Sequence, residues 1–110
     1  MGTDFEGYTC NWDLGMPMTE LELMLQAGMT PMQIIVASTL NGARACNLSQ
    51  ELGTLTKGKV ADLFAVAGDP LENLQALEEV ALVIHYGQVI RNEIEPGVGE
   101  TARFGARRAF

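Results

Sequence analysis

Residues 80–92, VALVIHYGQVIRN, hold two apolar runs that Tyr86 and Gly87 separate. A two-residue connection that contains glycine, placed between two apolar runs, is typical of a tight β-hairpin turn. We therefore expect antiparallel strands over 80–85 and 88–92. A lone hairpin is marginally stable in water, so this unit needs at least one further strand or a helix to pack against.

Residues 60–67 are the nearest candidate for that strand. They are apolar on both faces except at Asp62, which is typical of a strand buried on both sides. The turn-forming residues 68–70 end the run, and residues 73–77 predict a single helical turn before the hairpin. The expected sheet has about three strands, which is thin for a sheet that stands alone.

The region before these strands predicts three short helices. Thr19 and Glu22 have the spacing of a capping box, which predicts a first helix over roughly 20–27. Gly28 stands where a glycine commonly ends a helix in the left-handed conformation. Helices followed by antiparallel strands indicate an α+β chain.

The second predicted helix is apolar nearly all round. Thr30 and Gln33 form another capping-box pair around Pro31, and the helix is expected to run to about Thr39. Such a helix is normally buried, but a chain of 110 residues offers little with which to bury it. The pattern therefore predicts that a covering partner is missing. A third helix is expected over 41–46.

The charge and hydropathy of the chain exclude several classes of partner. Seven basic and fourteen acidic residues give a formal charge of −7, which opposes binding to nucleic acid or to an anionic membrane. The uncharged segment 23–43 is interrupted too often to span a bilayer, which takes about 20 apolar residues. The amino terminus lacks the pattern of a signal peptide, so we expect a cytoplasmic protein.

Cysteine and histidine usage limits the chemistry. Cys10 and Cys46 are too far apart for a CxxC motif and too few for a disulfide scaffold, so we expect reduced thiols. His85 is the only histidine in the chain. An enzyme that pairs either thiol with His85 is one alternative interpretation.

Several longer motifs together resemble the metal-dependent amidohydrolases. They are MGTD at 1–4, ELELMLQAGMTP at 20–31, AST at 37–39, NGARA at 41–45, LGTLTKGKVADL at 52–63, GDPL at 68–71 and VIHYGQV at 83–89. Within that superfamily the chain is most similar to the imidazolonepropionase and Xaa-Pro or Xaa-Arg dipeptidase-like branch. The resemblance covers about residues 1–91.

The resemblance implies a particular part of a larger fold. In the family, a (β/α)₈ barrel holds one or two divalent metals, usually zinc, beside a small β-sandwich built from strands before and after the barrel. Residues 1–51 are then expected to be the end of the barrel, with strand eight, a loop and helices. Residues 52–92 would be the carboxyl-terminal part of the sandwich, and 93–110 a flexible tail, of which the last fifteen residues, 96–110, are weakly basic.

The resemblance also implies site residues. Asp4 matches the strand-eight aspartate that contacts the metal and its water and takes the proton, two tasks that a carboxylate can perform. In the loop that follows, Tyr8, Asn11 and Trp12 are expected to face a small amide or dipeptide substrate. The other interpretation of Tyr8 and Trp12 is that they pack the loop down.

The family's histidine and bridging ligands have no counterpart here, because the one histidine lies in the hairpin. The parent enzyme is therefore expected to hydrolyse C–N bonds with a metal-activated water, while this truncated chain alone is expected to be inactive and to hold no metal. The alternative is a non-catalytic module that associates with itself or binds a partner through an open sheet edge and apolar helices. In either case we expect a homo-oligomer.

Overall fold

The protein is an α+β chain in which three helical segments precede a small antiparallel sheet. The structure is a computed structural model and describes residues 15–94. In chain order the elements are α1 (Met18–Gln26), α2 (Pro31–Val36), a π-helical turn (Ala37–Asn41), α3 (Gly42–Ala45), β1 (Leu63–Val66), a 3₁₀ helix (Leu74–Glu78), β2 (Val80–His85) and β3 (Gln88–Asn92). Across residues 15–94, every helix falls short of the length and apolar character that a bilayer-spanning helix requires.

The predicted hairpin is confirmed, with both strands at the expected residues. The sheet has the order β1-β2-β3, and both pairings are antiparallel. At its turn Tyr86 has φ +48° and Gly87 has φ +75°. Positive φ at both central residues defines a type I′ turn, whose twist matches that of the flanking strands.

Strand β1 is shorter than the sequence predicts, because residues 60–62 make other contacts. The Val60 amide donates to the Glu51 carbonyl at 3.0 Å, which draws the chain toward the preceding loop. The Ala61 carbonyl accepts from the Gly87 amide at 3.0 Å, at the hairpin turn. Regular ladder pairing begins at Leu63, opposite Ile84.

Helix α1 begins earlier than predicted, and the prediction of a capping box at Thr19 is wrong. The helix starts at Met18 with Pro17 as its N-cap, and no side chain caps it. Thr19 therefore lies inside the first turn. The Glu22 carboxylate instead accepts from the Gln75 side-chain amide at 2.9 Å, so a residue expected to cap its own helix joins α1 to the 3₁₀ helix.

The predicted end of α1 is confirmed. Gly28 has φ +95°, and its amide donates to the Leu25 carbonyl at 3.0 Å. The Met29 amide donates to the Met24 carbonyl at 3.1 Å. This pair of bonds is a Schellman motif, which satisfies carbonyls that the end of a helix leaves without a partner.

The predicted start of α2 is confirmed, but its predicted end is not. Thr30 and Gln33 form the reciprocal capping box, with N···O distances of 3.3 and 2.8 Å. The expected break between the second and third helices is absent, because the backbone continues through the π turn into α3. Asn41 has helical dihedrals and caps nothing, and its side-chain oxygen accepts from Arg44 at 3.2 Å.

The core lies between α1, α2 and the 3₁₀ helix. Its buried members are Met18, Leu21, Ile34, Leu74 and Leu77, of which Leu21 and Ile34 are exposed by 1% and 0%. The sequence predicts that the apolar second helix lacks a covering partner, and within the described residues only the Ile34 face of α2 is buried. Met32 on the same helix is 52% exposed.

Lys59 organises the loop that joins the helices to the sheet. Its Nζ donates to the Ser49 carbonyl at 2.6 Å and to the Leu52 carbonyl at 3.1 Å. Hydrogen bonds from an ammonium group are stronger than those between neutral groups. The lysine therefore fixes residues 49–52 against the segment that leads into β1.

Candidate functional site

The site residues implied by the resemblance lie outside residues 15–94, which the structure describes. They are Asp4, Tyr8, Asn11 and Trp12, and their roles stay predictions, as does that of Cys10. Most of the tail expected over 93–110 also lies outside this range. Two features within it could serve a function: a polar cluster at the hairpin turn and an apolar groove on the helices.

The polar cluster is centred on Asp62, just before β1. Its Oδ1 accepts from the Tyr86 amide at 2.7 Å and lies 3.0 Å from His85 Nδ1. The imidazole meets the Tyr86 ring edge to face, with centroids 4.7 Å apart. Asp62 thus joins the start of β1 to the turn of the hairpin.

Sequence reasoning identified Asp62 only as an interruption in an apolar strand. The signal that could have found its role is that interruption, because a carboxylate beside an apolar strand needs hydrogen-bond donors. His85 is the last residue of β2, and its side chain is 53% exposed.

The cluster is too small to hold a hydrolytic metal ion. A catalytic zinc takes three protein ligands, and residues 15–94 contain no group of three His, Cys, Asp or Glu side chains able to surround an ion. Cys46 is exposed and free, and among the described residues no hydrogen bond joins it to His85. The described part of the chain therefore offers neither a metal centre nor the alternative thiol–imidazole pair.

We expect the Asp62 contact to stabilise the sheet measurably. Asp62→Ala removes the acceptor of the Tyr86 amide and is expected to lower the free energy of unfolding by about 1–2 kcal/mol. Asp62→Asn keeps a side-chain oxygen for that amide and is expected to cost less than half as much. Urea denaturation of the two variants checks this, and equal stabilities for both would contradict it.

The apolar groove runs along α2 and the π turn. It has a volume of about 320 Å³, is open to solvent, and is lined by Met29, Met32, Gln33, Val36, Ala37 and Asn41. The Gln33 side chain is engaged in the capping box. The groove surface is mainly apolar, and the flexible thioether side chains of its two methionines make that surface adaptable.

Other apolar side chains are exposed within residues 15–94. Phe64 on β1 is 45% exposed and Leu55 in the preceding loop is 86% exposed. Strands β1 and β3 are the two edges of the described sheet. Open edges and apolar patches of this kind favour contact with further protein.

Comparison with known proteins identifies the family. The model of the amidohydrolase family matches residues 1–90. This chain belongs to the amidohydrolase family. The resemblance stated from the sequence is thereby confirmed, and the members of this family of hydrolases are generally metal-dependent.

Two curated relatives show how much of an amidohydrolase the chain matches. The imidazolonepropionase of Geobacillus sp. (strain WCH70) is 41% identical over 63 residues, which are 57% of this chain and 13% of the relative. The 5-methylthioadenosine/S-adenosylhomocysteine deaminase of Moorella thermoacetica is 40% identical over 73 residues, which are 60% of this chain and 17% of the relative. The amidohydrolase chain therefore spans less than a fifth of either protein.

Solved structures of larger proteins likewise match this chain over less than a fifth of their own length. A Xaa-Pro dipeptidase crystallised with methionine in its active site matches with a TM-score of 0.65 and 35% identity, over 67% of this chain and 18% of that one. Phenylurea hydrolase B matches with a TM-score of 0.61 and 30% identity, over 64% of this chain and 15% of that one. The helices and three-stranded antiparallel sheet of this amidohydrolase thus resemble part of larger family members.

Proposed function

We propose that this chain is a carboxyl-terminal portion of a metal-dependent amidohydrolase that hydrolyses C–N bonds in small amides or dipeptides. The observation that carries the proposal is the family match over residues 1–90, together with 35% identity to a Xaa-Pro dipeptidase. In this proposal residues 1–51 complete the barrel, 52–92 belong to the β-sandwich, and 93–110 are a tail.

Asp4 is the residue proposed to act in the reaction. Its carboxylate would contribute one ligand to a divalent metal, which we propose is zinc, and would act as the general base. The metal would supply Lewis-acid activation when bound. Tyr8, Asn11 and Trp12 are proposed to border the substrate.

The chain alone is proposed to be inactive, because the whole sequence has a single histidine and Asp62 engages it. The purified 110-residue protein is expected to hydrolyse no dipeptide and to retain no stoichiometric zinc after desalting. Turnover that disappears with a chelator and in Asp4→Asn would contradict this part of the proposal.

A segment-replacement chimera tests whether this chain can act as the carboxyl-terminal segment of an active amidohydrolase. We expect a Xaa-Pro dipeptidase whose matching carboxyl-terminal segment is replaced by residues 1–92 of this chain to keep metal-dependent dipeptidase activity. Asp4→Asn in the chimera is expected to lower kcat by at least about 100-fold, as the loss of a general base does. Asp13→Asn, a nearby carboxylate with no assigned role, is the matched control. A folded, metal-loaded chimera that is unaffected by Asp4→Asn would refute the assignment.

The second candidate is a self-associating module, which the exposed groove and open sheet edges favour. Light scattering of the purified chain is expected to give at least twice the monomer mass of 11.9 kDa. Phe64→Lys, on edge strand β1, is expected to weaken association more than Leu55→Lys, in the loop. A monomer at high concentration would exclude this candidate for the isolated chain.

A further inference from the structure

The sequence contains one asparagine that is followed by glycine, at Asn41-Gly42. This dipeptide is chemically prone to lose ammonia, because glycine has no Cβ to keep its amide nitrogen away from the asparagine side chain. The other asparagines precede tryptophan, leucine or glutamate, whose side chains hinder that approach. Asn41 is exposed and lines the apolar groove, so a change in its side chain changes the groove.

The loss of ammonia requires only water as a further reactant. The Gly42 nitrogen, after giving its proton to solvent, forms a bond to Asn41 Cγ. The Cγ–Nδ2 bond breaks, and Nδ2 takes a proton from solvent and leaves as ammonia. Water then opens the five-membered imide ring at either carbonyl, which leaves aspartate or isoaspartate at position 41. In total, one water is consumed and one ammonia is released.

The helical backbone holds this reaction back. The imide ring is nearly planar, so the bond to the Gly42 nitrogen must turn toward the Cα–Cβ bond of Asn41, and the observed ψ of −33° keeps the two bonds apart. The Gly42 amide also donates to the Thr39 carbonyl, and the Gly42 carbonyl accepts from the Cys46 amide at 3.1 Å. The reaction therefore requires the helix to open locally around Gly42.

Arg44 prepares the other reacting group. Its Nη1 donates to Asn41 Oδ1 at 3.2 Å. A cationic donor stabilises the negative charge that develops on a carbonyl oxygen under attack, so this contact makes Cγ a better electrophile. The fold thus places a polarised amide next to a nitrogen that the helix restrains.

We propose that Asn41-Gly42 is a latent self-modification site, which cyclises when the helix opens and then gains a carboxylate at the end of the apolar groove. An aspartate product faces Arg44 and keeps the main chain intact. An isoaspartate product adds one carbon to the main chain, which disrupts the hydrogen bonding between the π turn and α3. In both products the groove gains a negative charge, which disfavours a purely apolar occupant.

Peptide mapping by mass spectrometry tests the site in the full chain. Native protein and protein unfolded in guanidinium chloride are incubated side by side at mildly alkaline pH, and we expect Asn41 to deamidate at least about tenfold faster when unfolded. Gly42→Ala adds a Cβ that would lie 4.0 Å from the Ala37 carbonyl oxygen, an ordinary contact, and is expected to suppress deamidation in both states. Asn47, which precedes leucine, is the internal control and is expected to stay intact.

NMR of the methionine methyl groups tests the effect on the groove. Asn41→Asp is expected to shift the Met29 and Met32 methyl resonances, whereas the same change at Asn47, which does not line the groove, is expected to leave them in place. Equal deamidation rates in the native and unfolded chains would overturn the protection by the helix. An unreacted Asn41 in the unfolded chain, or unshifted methyl resonances in Asn41→Asp, would overturn the proposed site.

Discussion

Replacing Leu21 with alanine is expected to lower the free energy of unfolding by about 3–5 kcal/mol. Leu21 is 1% exposed and lies in the cluster that joins α1, α2 and the 3₁₀ helix. Removing its side chain loses buried apolar area and leaves a cavity that rigid neighbours fill only in part. Because small domains have net stabilities of about 5–15 kcal/mol, this loss is a large share of the total.

Leu23→Ala is the matched control, because it makes the same chemical change two residues further along α1. Leu23 is 55% exposed, so its loss is expected to change the stability by about 0.5 kcal/mol or less. Urea denaturation monitored by circular dichroism gives both values. Equal effects of the two substitutions would contradict the assignment of the core.

Gly53→Ala is expected to lower the free energy of unfolding by about 2–5 kcal/mol, for two separate reasons. Gly53 has φ +87°, a conformation that residues with a Cβ adopt at a cost of about 1–2 kcal/mol. The added Cβ also meets backbone and side-chain atoms at 2.8–3.2 Å, and such overpacking costs about 1–3 kcal/mol more.

Gly58→Ala separates these two causes. Gly58 has φ +94° but nothing within 4 Å of the position of a Cβ, so only the backbone term applies. Its expected cost is about 1–2 kcal/mol. The difference between the variants, measured by thermal or urea unfolding, then reports the close approach of Gly53 to the helices. A loss at Gly58 as large as that at Gly53 would show that this packing contributes little.

The sequence by itself determined the elements whose signals are local. The hairpin strands were predicted at the correct residues because Tyr86-Gly87 supplies a turn and the flanking runs supply strands. Thr30 with Gln33, and Gly28, fixed the start of α2 and the end of α1, since each cap needs only residues within one helical turn. Family membership was also readable, because each motif between residues 1 and 91 is an uninterrupted run of residues that can be recognised without the fold.

Only the tertiary structure decided the features that depend on distant residues. Glu22 contacts Gln75 rather than capping α1, Asp62 binds the turn at Tyr86, and Gly53 packs against the π turn. In each case the partners lie more than ten positions apart. Local sequence patterns do not predict such pairs, because the residues come into contact only after the intervening chain has folded.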